Sequence, residues 1–347
     1  MSDIAVTSPP TVASGRSLRR FLLRLLWFVT TVAPVFWLVP QLDAPTLGHR
    51  LGHPVVQLLL LAALLNLAGQ VVQAGCWSVL LRPRHRVPFT RLLRYEFAAQ
   101  STAFVDVPRG GTDPLRSRLL GRQDVPPGVT RALIILRRIV RAAAIGLLAI
   151  AAPLLMAGLP GWVTAFIWSS TVATVALVGL LVWLAHRDGG RPVPRGLRRL
   201  ADGLFCLRDT RTLRLVLVLA LVGVLIDTAA AVVILNALHV HVSVGVATLV
   251  LFFVDVSVSL PVTPAHLGTF EAGAFFSLQL AHVPLEAGAA FALVFHAQQN
   301  LPQLIAGLPL RFAAGQPKRE DHGSIVELDA RPGRRPEAGR GVRGDAG

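Results

Sequence analysis

Long apolar stretches separated by short basic or Gly/Pro-rich ones set the pattern of this chain. Runs of about 20 mostly apolar residues suffice to cross hydrocarbon as a helix. They occur at 21–39, 55–81, 139–159, 162–185, 215–238 and 287–310. Two shorter limbs, 244–260 and 267–281, flank a break that contains Pro261, Pro264 and Gly268. Proline removes an N–H and fixes φ, and glycine admits unusual dihedrals, so the backbone is expected to turn there. In hydrocarbon such a turn is tolerated where protein or a wet cavity covers it. We read the limbs as a re-entrant hairpin.

A second irregular region runs from 88 to 122. Its segment LLRYEFAAQSTAFVDV is too polar for an ordinary crossing and leads into Pro108, Arg109, Gly110, Gly111, Thr112 and Asp113. It reads as a hairpin dipping in from the opposite side. The expected fold is all-α: a polytopic membrane bundle of about six full crossings plus two re-entrant hairpins, with both termini cytoplasmic. Residues 1–17 and 313–347 read as disordered tails around a transmembrane domain at 18–312, the second tail being Gly, Pro, Arg and Glu without periodicity.

Composition agrees: 53% hydrophobic and 15% charged residues, with a mean hydropathy of +0.59, argue against a soluble globular protein. The net charge of +15 changes the picture only through its placement. Under the six-crossing reading every Lys and Arg except Arg50 falls at the cytoplasmic side, the bias that orients membrane proteins. Attraction to an anionic leaflet accounts for the basicity, and no nucleic-acid partner is expected. Cys76 and Cys206 both fall toward the reducing side and form no CxxC pair, so no disulfide framework is indicated. The first apolar run lacks a clear small-x-small cleavage site and is read as a retained helix.

Candidate chemistry sits at the breaks and at polar positions inside the runs. Glu271 follows the second break by a few residues, and an ionisable group at membrane depth is a site candidate. Arg109 and Arg116 could fork onto a phosphate, with the neighbouring glycines allowing backbone N–H groups to approach an anion; Arg116 also suits an ordinary interfacial position. Asp113 lies between them. Arg131, Arg137, Arg138 and Arg141 open the next helix, where snorkelling to the interface is the plain reading. Asp227 must be paired, protonated or wet. Asn66, Gln70, Gln73 and Trp77 share one helix face, suited either to helix-to-helix hydrogen bonds or to lining a path. The last run carries His296, Gln298, Gln299 and Asn300 at mid-depth. No GxSxG, HExxH, DxD-like or GxxxxGK[ST] motif is present, so no catalytic residues and no cofactor are assigned. His239 and His241 make an HxH pair without a third ligand type nearby, and no metal site is assigned.

Two segments resemble one family, the flippase-like transmembrane region found at the N-terminus of lysylphosphatidylglycerol synthases and in stand-alone bacterial and archaeal membrane proteins. PRGGTDPLR at 108–116, continued by Arg138, is the first; LPVTPAHLGTFEAG at 260–273 is the second. The resemblance spans about 18–311. Ala265 and His266 replace two usual glycines, Asp106 a common Asn, and RRxxR at 137–141 a more usual ERxxD. The resemblance implies a multi-pass protein of the cell (inner or plasma) membrane that binds and flips an amphiphilic lipid of anionic or glycolipid/isoprenoid type, with a possible partner enzyme of lipid biosynthesis. It implies headgroup contacts from Arg109, Asp113, Arg116 and Arg138, with Glu271 binding a cationic group, exchanging a proton or bracing the hairpin; Asp227, outside both segments, is a candidate lipid contact as a lone intramembrane acid. Pro108, Gly111, Pro261, Pro264 and Gly268 would shape the hairpins. The rival expectation is a membrane-embedded aminoacyl or glycosyl transferase, or an accessory subunit of one, although a separate aminoacyltransferase domain is not expected beyond Arg311.

Overall fold

The computed structural model describes residues 43–101, 112–156, 158–186, 203–259 and 266–315, which form helices joined by turns and short irregular segments. In chain order the helices are α1 (Ala44–Gly52), α2 (Val56–Leu81), α3 (Phe89–Gln100), α4 (Thr112–Gly121), α5 (Pro127–Ala149), α6 (Ala152–Leu155) and α7 (Gly161–His186). After a 3-10 turn at Phe205–Arg208 come α8 (Thr210–Ala237), α9 (Val244–Val258), α10 (Thr269–Leu280) and α11 (Leu285–Gly315).

Three of the expected crossings, α2, α7 and α8, are helices long and apolar enough to span a membrane. Their outer faces leave Leu60, Leu64, Val172 and Trp183 more than half exposed. Surfaces of that kind belong against acyl chains. The protein is thus a polytopic membrane protein built from helices. The first expected crossing, 21–39, and the N-terminal tail lie outside the described residues, as does the chain from residue 316; the last helix continues to Gly315, three residues into the expected C-terminal tail.

Two crossings differ from expectation. The run 139–159 is covered by α5, which begins twelve residues earlier at Pro127 and stops at Ala149; α6 and a turn at Gly158, with φ +91°, follow. Proline suits the first helical turn, and the arginines of 131–141 are good helix formers, so the helix starts well before its apolar part does. The last run lies within a longer helix, α11, which carries Pro302 and Pro309 in its interior. The short stretch between the first two apolar runs contains α1, which Asp43 caps by accepting from the Thr46 N–H at 3.2 Å.

Each chain break separates two packed helices. α9 and α10 meet where a Cβ at Gly273 would stand 2.7 Å from the Phe253 carbonyl oxygen, so the helices touch backbone to side-chain plane only because that residue has none. α3 and α4 flank residues 102–111 in the same way. α11 packs against both pairs: against α10 along its first half and against α3 near Gly307, whose Cβ would fall 2.1 Å from the Phe97 carbonyl oxygen.

Two apolar clusters form the core. One gathers Ala62, Ala144, Val224, Phe253, Phe291 and their neighbours; the other gathers Trp77, Leu81, Leu133, Leu136, Val216 and the residues around Cys206. α2, α5 and α8 pass through both. Between the clusters these helices present Asn66, Gln70, Arg137, Arg141 and Asp227.

A charged cavity between two apolar layers

On α5, Arg137 and Arg141 are one turn apart and share a face, while Arg138 points to the side. The Arg137 guanidinium donates to Glu96 Oε1 at 3.0 Å and to Gln73 Oε1 at 3.1 Å, and lies 5.2 Å from the centre of the Trp77 ring. Glu96, on α3, is 2% exposed. Its second oxygen accepts from Arg116 on α4 at 2.7 Å. Arg116 also donates to Asp113 at 3.3 Å, and Asp113 accepts from Arg138 at 2.5 Å. One turn along α5, Arg141 donates to Asp227 Oδ2 on α8 at 2.8 Å and forms an ion pair with Asp255 on α9 at 3.6 Å. Four arginines therefore face four carboxylates, and the network joins α2, α3, α4, α5, α8 and α9. A charge in such surroundings is held only when paired and hydrogen-bonded, which is why the partners come in this number.

The cavity beside this network has a volume of about 220 Å³. α2 lines it with Asn66, Gln70 and Gln73, α3 with Glu96 and Gln100, and α11 with Gln299. Arg137, Arg138 and Arg141 form the wall on α5, and Asp227 closes it from α8. Asp227 is ten residues from the end of α8, about 15 Å along the axis. The cavity therefore lies well inside the length of α8, and it opens beside Arg138, whose side chain is 64% exposed.

Glu271 serves a separate place. One carboxylate oxygen accepts from the Gly268 N–H at 2.7 Å, and the other accepts from His296 Nδ1 on α11 at 2.5 Å. Gly268 has φ +82°, a conformation that glycine adopts without penalty, and the Glu271 carboxylate holds the turn that starts α10. The His296 ring stacks on Phe270, with centroids 4.6 Å apart. Glu271 thus ties the exit of the second break to the last helix.

Of the residues singled out in the sequence, Asp113, Arg116, Arg138 and Asp227 fall within the one charged network, and Glu271 with Gly268 lies at the start of α10. Arg109, Pro108, Gly111, Pro261 and Pro264 lie outside the described residues. The interfacial reading of the α5 arginines is corrected: Arg137 and Arg141 point inward onto Glu96, Asp227 and Asp255 instead of outward to a surface. Arg116, 6% exposed, is likewise a buried partner of Glu96. Glu96 and Asp255 were not singled out. Each is the one acid of its helix; Asp255 carried a signal, since a lone carboxylate in an apolar run needs a cation nearby, whereas Glu96 sits in a polar segment beside Arg91 and Arg94 and carried none. On the polar stripe of α2, Asn66 donates to the Gln298 carbonyl on α11 at 3.0 Å, a helix-to-helix hydrogen bond, while Gln70 and Gln73 line the cavity.

A polytopic helical bundle whose crossing helices enclose a charged, arginine-walled cavity is the class this architecture defines. Within that class the chain belongs to the lysylphosphatidylglycerol synthase TM region family, whose model matches residues 21–307. No curated protein matches the chain.

Proposed function

We propose that the protein binds an amphiphilic lipid by its anionic headgroup and carries that headgroup between leaflets through the cavity on α5. The supporting observation is a polar chamber within an apolar bundle, with Arg138 and Arg141 on its wall. Arg138 is the most open of the four arginines, its side chain 64% exposed and tied to one carboxylate, so its remaining donors suit a phosphate oxygen. Arg116 and Arg137, more deeply enclosed and shared with Glu96, position α3 and α4 around the chamber. Arg109 belongs to the same proposal as a headgroup contact at the first break. The α3–α4 and α9–α10 pairs act as re-entrant hairpins that admit the headgroup from the two sides, an arrangement that suits a site between inverted halves. Membership of a family described through a phospholipid synthase suits a lipid headgroup as cargo.

The test is leaflet exchange of a fluorescent phosphatidylglycerol in vesicles containing the purified protein, with Arg138→Gln as the variant. Exchange well above that of protein-free vesicles, slowed about tenfold by the substitution, is expected, since a lost charge-assisted bond is worth roughly one such factor. Exchange equal to empty vesicles overturns the proposal. A modified lipid formed from an activated aminoacyl or sugar donor would indicate the transferase instead.

A further inference from the structure

The charges around the cavity are already balanced among the described residues, four guanidinium groups against four carboxylates. An anionic headgroup that settles on Arg138 or Arg141 adds a negative charge for which the described network holds no spare cation. In the interior of a membrane bundle an uncompensated charge is strongly disfavoured. Entry of the anion is favoured only if a cation enters as well.

The α2 and α8 sides of the cavity carry the groups to receive one. Asn66 and Gln70 stand one turn apart on α2, and are 2% and 7% exposed. Neither Asn66 Oδ1 nor Gln70 Oε1 accepts a hydrogen bond among the described residues. The Asn66 amide is held in this orientation because its Nδ2 donates to the Gln298 carbonyl. Between them in sequence, Gly69 faces Asp227: a Cβ at that position would stand 3.7 Å from Asp227 Oδ1. Asp227 gives its other oxygen to Arg141. All three residues border the same cavity. Buried acceptors without a donor cost free energy, and two amide oxygens beside a carboxylate oxygen are an oxygen set for a hard cation. One carboxylate, already shared with an arginine, suits a single positive charge better than a double one.

We propose that Asn66 Oδ1, Gln70 Oε1 and Asp227 Oδ1 form a binding site for a monovalent cation, which occupies the cavity together with the anionic headgroup and neutralises it. This rests on the lipid-carrier reading for its purpose, but the site itself can be measured without lipid transport. The cation is either a free inorganic ion or an ammonium group carried by the headgroup. Its coordination is completed by headgroup oxygens or water.

Thermal unfolding of the purified full-length protein in detergent micelles containing phosphatidylglycerol, which supplies the anion, in NaCl, KCl or N-methylglucamine chloride at one ionic strength, reads the site. A ligand that binds only the folded state raises the Tm in a saturable way. We expect Na+ or K+ to do so and the bulky organic cation not to. Gln70→Met, nearly isosteric but without the oxygen, should raise the half-saturating concentration about tenfold. Gln70→Glu should lower it, and it carries the test if the methionine variant does not fold. Phosphatidylglycerol exchange in vesicles should need the small cation in the same order. An aminophospholipid that exchanges in N-methylglucamine while phosphatidylglycerol does not would place the ammonium in the same site. Equal Tm values in all three salts and in both Gln70 variants overturn the proposal and leave the two amides bound to water only. A cation-dependent Tm without lipid exchange would keep the site and remove the carrier function.

Discussion

Arg137 and Arg141 stand one turn apart on α5, yet they are held by carboxylates from opposite ends of the sequence, Glu96 on one side and Asp227 with Asp255 on the other. The helix is thus pinned at adjacent turns to the first and second halves of the chain. Any movement of those halves relative to each other has to act on these three ion pairs.

Glu96 is the acid with most at stake, because it holds two arginines and is 2% exposed. Glu96→Gln keeps the shape and removes the charge, leaving Arg116 and Arg137 short of their shared partner. Breaking a buried ion pair from one side costs about 3–5 kcal/mol. Denaturant unfolding in detergent should show a loss of that order. Glu96→Gln combined with Arg137→Met should recover part of it, since the second change removes one of the stranded cations; a strictly additive double variant would deny the coupling.

Gly307 and Gly75 are both helical glycines in apolar surroundings, and they should respond in opposite ways to alanine. A Cβ at Gly307 would lie 2.1 Å from the Phe97 carbonyl oxygen, a backbone atom that cannot swing aside. Gly307→Ala must push α11 away from α3 and should cost about 3 kcal/mol or more. At Gly75 the nearest neighbour is the end of the Leu219 side chain at 4.0 Å. Gly75→Ala should therefore be neutral or stabilising by up to about 1 kcal/mol through helix propensity. Tm values of the two purified variants decide it.

The membrane helices were legible because apolar length is a direct demand of hydrocarbon, and α2, α7 and α8 lie where their runs predicted them. The Glu271 break was visible for a similar reason, since Pro261, Pro264 and Gly268 interrupt a run that would otherwise continue. Arg137 and Arg141 were misplaced because an arginine near a helix end looks alike whether it reaches for lipid headgroups or for a buried acid. Their partners Glu96, Asp227 and Asp255 are 41, 86 and 114 residues away in sequence, and nothing local marks that contact. His296 was visible as a polar residue at mid-depth, but its pairing with Glu271 arises only when α10 and α11 pack together.

The two cysteines provide an internal reporter of unfolding. Cys206 sits in the 3-10 turn, fully enclosed, and burial pushes its thiol up to about 12. Thiolate, the reactive form, is then scarce at neutral pH. Cys76 is also buried. Native protein treated with a maleimide at pH 7.5 should label slowly, and labelling of both positions should appear together with thermal unfolding. Rapid native labelling of Cys206 in a Cys76→Ala background would show that the turn opens without the bundle.

Asp209 caps α8 at its basic end, where it accepts from the Arg211 and Thr212 N–H groups at 3.1 Å each and from the Thr212 hydroxyl at 2.6 Å. These bonds, the Thr212 hydroxyl foremost, favour the charged carboxylate and hold its pKa below the ordinary aspartate value. A carboxyl whose folded pKa is depressed contributes stability that is complete above its unfolded value, about 3.9, and is lost as pH falls through the lower folded value. Asp209→Ala should therefore lower the Tm near neutral pH, and the gap between variant and wild type should narrow on acidification below about pH 4. Comparing the two proteins across pH 7 to 3 in the same detergent checks the sign: a gap that widens in acid would mean that the cap acts through the neutral carboxyl, contrary to three donors converging on its oxygens.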